Sequence, residues 1–217
     1  MNTNSQSGFT LYELLVSMFV AGIILGYGIP NFVEFQRNNG MAAVANQLVT
    51  GILMARSEAV KRQVPVTLCA SPDATIANPV CDPTGAGSQG GFIIWADENG
   101  NVDANGSPIL TDATDGNAVV DPGEIILLQV DEPDPIITVS ADAGYIVFGP
   151  DGFPRQAQGL GFPPVTRVVY CDDRGNRATT GGSTARVVRI EQTGRGQVLR
   201  DIPDVVAALA ITGGVCP

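Results

Sequence analysis

Glu13 is a carboxylate set about one turn inside an apolar run that opens Phe9-Thr10-Leu11-Tyr12-Glu13 and continues through Leu14-Leu15-Val16 to Ile29. An unpaired charge in hydrocarbon costs at least a few kcal/mol, so Glu13 calls for a cationic partner. Cleavage between Gly8 and Phe9 supplies one. The new α-amino group of Phe9 stands at i, i+4 spacing from Glu13 on one helix, or reaches it from a neighbouring copy in an assembly.

Other reactive types are sparse. The 217 residues contain no histidine, which removes imidazole bases, His-containing metal sites and every Ser/His or Cys/His nucleophile. Asp97, Asn99, Asn101 and Asp103 alternate like a calcium loop, with Asp121 and Glu124 further on. Gly100 is out of place for such a loop, however, and Pro108 stands where the bidentate Glu belongs, so a solvated turn is expected rather than a metal site, with weak calcium binding near Asp121 and Glu124 as the alternative. Gly85-Ala86-Gly87-Ser88-Gln89-Gly90 spells G-x-G-x-x-G, but it leads into the strand pattern Phe92-Ile93-Ile94-Trp95. Without a helix N-terminus behind it there is no phosphate cradle, and a loop is expected. No convergent acid–base or metal set emerges, so neither an enzyme nor a cofactor is expected.

Charge is scarce and uneven. Charged residues make up 16% of the chain, and the net charge is −10. Between Gln63 and Pro154 there are 14 acids and no Lys or Arg, whereas from Gly161 onward 7 arginines face 5 acids. The acidic centre repels nucleic acid and anionic lipid, so any such contact must use the C-terminal arginines.

The elements that must position these groups begin with a helix. Phe9–Ile29 is long enough to cross a hydrocarbon core of about 30 Å at about 1.5 Å per residue. A secretory signal peptide is the alternative, but the leader has no basic start and no A-x-A site follows the run. After Pro30 the helical pattern resumes, with Met41, Val44, Leu48, Ile52, Ala55 and Ala59 at three- and four-residue steps. A helix from Phe9 to about Arg62 is expected, kinked or locally melted near Gly26-Tyr27-Gly28-Ile29-Pro30. From Pro65 short β-branched and aromatic runs read as strands: 66–69, 91–95, 125–130, 136–139, 145–148, 165–170 and 186–190. One long helix followed by strands gives an α+β fold with an antiparallel sheet or small sandwich as its head.

Gly8-Phe9-Thr10-Leu11-Tyr12-Glu13, the apolar helix and Pro30 together resemble the signal of type IV pilins and pseudopilins. Ala55-Arg56-Ser57-Glu58-Ala59-Val60-Lys61-Arg62, Val66-Thr67-Leu68-Cys69, Gly91-Phe92 with Trp95, the 97–101 and 121–124 turns and the late Arg-rich strand resemble the GspH/FimT family of minor pilins and pseudopilins. The resemblance implies a prepilin peptidase that cuts after Gly8 and methylates Phe9, with Glu13 registering the subunit against its neighbour's amine. It also implies single-pass anchoring in a bacterial inner membrane, a periplasmic head, and other pilins or pseudopilins and an inner-membrane assembly platform as partners. The corresponding segments are a leader 1–8, a membrane and filament-core helix 9–30, an amphipathic helix 31–62 packing on the head, and a β-rich head 63–217. The leader departs from the family in carrying no Lys or Arg, so it lends no support to a positive-inside orientation.

In a head exported to an oxidising compartment, four cysteines suggest two disulfides among three connectivities, with Cys69–Cys81 and Cys171–Cys216 favoured. Two function classes follow. One is assembly of a type IV pilus, with a pseudopilin of type II secretion as its alternative. The other is a DNA contact through Arg186, Arg189, Arg195 and Arg200, set against a solvated strand face whose arginines pair with Glu191 and Asp201. Some relatives associated with DNA uptake carry Gly-Arg-x-Arg; here Gly194-Arg195-Gly196-Gln197 keeps only the first arginine.

Overall fold

The computed structural model describes residues 8–85, 89–97, 116–121 and 123–217, without the side chain of Pro30. Most of the alternating calcium-like turn (Asn99, Asn101, Asp103 and Pro108), the centre of the glycine loop and the leader before Gly8 lie outside the described residues. By packing, the chain divides into two units, Met1–Gly40 and Met41–Pro217.

In the first unit, helix α1 (Leu11–Arg62) begins and runs unbroken through Pro30. The expected melting at residues 26–30 does not occur. Pro30 has no N–H to give the carbonyl of Gly26, but one lost bond within 52 helical residues is tolerated. Asn31 Nδ2 also donates to the carbonyl of Tyr27 at 2.8 Å, adding a bond beside the gap. From Phe9 to Phe35 every large apolar side chain described is exposed. A helix with apolar side chains exposed all round is suited to lipid or to other helices.

The second unit holds the core. Met41, Ala45, Leu48, Ile52, Ala55 and Ala59 are buried along one stripe of α1, so the expected stripe holds except that Ala45 takes the inward place of half-buried Val44. Helix and sheet come close at Gly51, where a Cβ would stand 2.7 Å from the Phe92 ring.

The strands are β1 (Val66–Ala70), β2 (Phe92–Ala96), β3 (Ile125–Val130), β4 (Thr138–Ala141), β5 (Tyr145–Phe148), β6 (Pro154–Arg155), β7 (Arg167–Cys171), β8 (Ala178–Thr179), β9 (Gly182–Ser183), β10 (Arg186–Ile190) and β11 (Gly196–Leu199). They form one sheet in the order β3-β2-β1-β5-β6, a second in the order β11-β10-β7-β4, and a small β8-β9 hairpin. Every pairing is antiparallel.

Period-two alternation then sorts the side chains. Val66, Leu68, Phe92, Ile94, Ile146 and Phe148 of the first sheet join Val168, Tyr170, Val188 and Ile190 of the second in one cluster with the α1 stripe. The opposite face of the first sheet, including Cys69, Ile93, Trp95, Tyr145 and Val147, is covered by Ala74, Ala118 and Ala157 from connecting segments. Behind the second sheet, Val169, Cys171 and Val187 pack on Val205 and Ala208 of a C-terminal helix, α2 (Ile202–Thr212). Both sheets are therefore covered on both faces, which explains why their central strands read as continuous apolar runs.

Candidate functional site

Thr10 and Glu13 close a reciprocal cap on α1. Glu13 Oε2 accepts from Thr10 N–H and from Thr10 Oγ1, each at 3.0 Å, and Glu13 N–H donates to Thr10 Oγ1 at 3.2 Å. This is the T-x-x-E capping box, which satisfies helix-end donors that would otherwise be orphaned. The sequence carries the signal, but the reading of Glu13 as a charge awaiting an amine passed over it. The carboxylate is thus held at the helix start by its own chain, four residues after Phe9, and Gly8 and Phe9 are both exposed.

The four cysteines join as Cys69–Cys81 and Cys171–Cys216, each pair with Cα atoms 5.5 Å apart. The first bond closes the segment after β1. The second ties the tail beyond α2 to the end of β7. A buried pair lies beside it, with Arg174 Nη2 2.6 Å from Asp172 Oδ2. Nothing in the spacing of Asp172 and Arg174 marks them as a buried pair in the sequence.

Asp97 corrects the expectation of a solvated turn. It is buried, and its carboxylate accepts from Thr67 Oγ1 in β1, from Gly116 N–H at 3.1 Å and from Ala118 N–H at 3.0 Å. The residue ties Gly116 and Ala118 to the first sheet. Asp121 and Glu124 serve their own turn instead, with Asn117 Nδ2 donating to Asp121 and Asp121 N–H to Glu124 Oε2. Among the described residues no group of carboxylates and thiols is arranged to hold a metal ion.

Burial raises the Asp97 carboxyl from the usual 3.8 to about 6, against hydrogen bonds that pull it down. The folded head therefore holds this proton more tightly than the unfolded chain does. Its contribution to stability is complete below about pH 4 and is lost as pH rises through 6. Relative to an Asp97→Asn variant, whose side chain cannot titrate, the native head is expected to lose about 2–3 kcal/mol more between pH 4 and pH 7. Urea unfolding of both proteins across that range measures the difference, and parallel curves would contradict it.

The arginines divide. Arg186 is not part of an exposed strand face: it is buried, and its Nη1 donates to the carbonyls of Ser183, Thr184 and Ala185 at 2.8–3.0 Å. Its positive charge serves to close the β9–β10 connection. Arg189 is half-exposed and lies 2.9 Å from Glu191. Arg195, in the β10–β11 turn, and Arg200, just past β11, are exposed. In the glycine loop, Gly85 and Gly90 take left-handed φ values of 72° and 104°, and β2 follows rather than a helix.

The family model described as type II transport protein GspH matches residues 44–194, and the prokaryotic N-terminal methylation motif matches residues 3–28. No curated protein matches the chain. Two crystal forms of the type IV minor pilin FimU of Pseudomonas aeruginosa PAO1 resemble it at 20% identity. The form in space group P21 covers 76% of this chain and 92% of its own, with a TM-score of 0.40. The form in P65 covers 73% and 91%, with a TM-score of 0.37.

Proposed function

The chain belongs to the type II transport protein GspH family and carries the prokaryotic N-terminal methylation motif, and on that premise we propose that it is a minor pilin processed between Gly8 and Phe9 and built into a type IV pilus. Membership makes it a member of the minor pilin and pseudopilin class with an apolar helix fit to anchor a soluble head. The finer reading places the head in the periplasm and the helix in the inner membrane until the subunit joins its filament through the assembly platform. One observation carries it: a charge-poor helix, exposed on all sides from Phe9 to Phe35, whose single early carboxylate is held at its very start. Such a helix needs lipid before assembly and neighbouring helices after it.

The family description itself favours a second reading, a pseudopilin of type II secretion. Deleting the gene separates the two. Loss of surface pili with normal secretion supports the pilus, whereas exoproteins trapped in the periplasm with pili intact support the secretion system.

A DNA contact now rests on Arg195 and Arg200, which lie beyond the residues the family model matches. If these arginines touch phosphates, retention of double-stranded DNA falls as salt rises, and Arg195→Ala weakens it for every sequence. No retention at low salt removes this role.

A further inference from the structure

Arg167 of β7 and Arg189 of β10 stand directly opposite each other, and Gln197 of β11 stands opposite Arg189 on its other side. Alternation puts this row on the face of Val169 and Val187, behind the second sheet, rather than on the face of Val168 and Val188 in the main cluster. Like charges directly opposite on one face destabilise a sheet, so the row calls for anions. Glu191 supplies one, 2.9 Å from Arg189. Asp142, at the β4 end of the row, has its carboxylate engaged by Thr166 and by the N–H of Arg167. In the turn beyond, Arg195 is exposed, and neither it nor Arg167 has an ion pair among the described residues.

Acids without counter-charges lie at the opposite corner of the same sheet. The turn before β4 carries Asp131, Glu132 and Asp134, all exposed and none in an ion pair among the described residues. It enters β4 at Thr138, opposite Cys171, whereas the arginine row crosses β7 at Arg167 and β11 at Gln197, next to Gly196. At about 3.3 Å per residue along a strand and about 4.8 Å between strands, Gly196 stands roughly 20 Å from Thr138, too far for Arg195 and these acids to pair within one molecule.

We propose that the arginine face of one head docks on the 131–134 turn of a second copy of this chain. The guanidinium groups of Arg167 and Arg195 meet the carboxylates of Asp131, Glu132 and Asp134. The two surfaces lie at different corners of the sheet, so the contact is heterologous and extends into a row of heads rather than closing as a symmetric pair. Exposed ion pairs are weak one by one, so the contact depends on the high local concentration of chains held in one membrane. It goes beyond the filament reading, because it forms between heads whether or not the leader is cut.

The chain has a single lysine, Lys61, 3.2 Å from Glu58. Arg195→Lys keeps the charge and adds an amine, and a water-soluble carbodiimide joins an amine only to a carboxylate in contact with it. The full-length variant is held in neutral phosphatidylcholine vesicles as an equal mixture of isotope-labelled and unlabelled copies, treated with carbodiimide and digested for mass spectrometry. Coupling of Lys61 to Glu58 is the internal control. The amine at position 195 is expected to couple to Asp131, Glu132 or Asp134 in peptides that join a labelled to an unlabelled copy. The yield is expected to fall at least about fivefold between 0.1 M and 1 M salt, as the Debye length shrinks from about 10 Å to about 3 Å. The triple change Asp131→Asn, Glu132→Gln and Asp134→Asn is expected to lower it as far, with Lys61 coupling unchanged. No coupling at position 195 while Lys61 couples, coupling confined to single copies, coupling chiefly to other carboxylates, or a yield indifferent to salt and to the triple change would each overturn the proposal. So would double-stranded DNA retained on the vesicles in place of coupling, which makes a nucleic acid the occupant of the arginine face.

Discussion

A chain carrying Glu13→Gln is expected to be anchored and cut like the native protein, yet to fall at least about tenfold in assembled filaments. Glutamine serves in a T-x-x-E/Q capping box as well as glutamate does, so the start of α1 stays intact. Only the negative charge is lost. In hydrocarbon a carboxylate without a counter-charge costs about 2.5–3.5 kcal/mol, and pairing with a neighbour's amine recovers much of that on docking. Each 1.4 kcal/mol is a factor of about ten in the assembly equilibrium. Glu13→Ala removes cap and charge together. If the two variants assemble equally poorly, the charge is what matters. If Glu13→Gln assembles normally while Glu13→Ala does not, the residue is a helix cap and the registration role is wrong. Immunoblots of sheared filaments against membrane fractions give the ratio.

The second large effect separates two residues of one type on one helix. Ile52 is fully buried in the cluster that joins α1 to both sheets, and Ile24 is 63% exposed in the apolar first unit. Ile52→Ala is expected to destabilise the head by about 2–5 kcal/mol, the loss of a buried side chain plus the cavity it leaves. Against a total of about 5–15 kcal/mol, that places the variant close to unfolding. Ile24→Ala is expected to leave head stability within about 0.5 kcal/mol, since Ile24 is exposed. Denaturant unfolding monitored at Trp95, the only tryptophan and a fully buried one, reports both. Equal effects would contradict the assignment of the head core to the cluster around Ile52.

The features that could be read in the sequence were those with a local cause. The stripe from Met41 to Ala59 follows from three- and four-residue spacing, and the central strands follow from β-branched runs bounded by Gly, Pro and Asp. Cysteines 12 and 45 residues apart pair, Cys69 and Cys171 from the ends of β1 and β7 with Cys81 from the segment after β1 and Cys216 from the tail beyond α2. Other features depended on tertiary contacts or on signals that were passed over.

The strand expected at 136–139 begins at Thr138, because Asp134 captures the N–H groups of Ile136 and Ile137 in a turn. Helix α2 was not expected at all. Its signals are present in Asp201 at the N-cap, Pro203 in the first turn and Gly213 in the left-handed conformation at its end, but an apolar run with no polar face gives no period to detect. Arg186 and Asp97 misled for the same reason. Charged residues are rarely buried, and only the fold brings three carbonyls to one and two backbone amides to the other.

The central claim is that this chain is cut and anchored as a pilin, and the mass of its mature N-terminus tests it most directly. Protein purified from membranes of cells that contain the prepilin peptidase is predicted to begin at an N-methylated Phe9. A chain from those cells that still retains residues 1–8 would contradict the account.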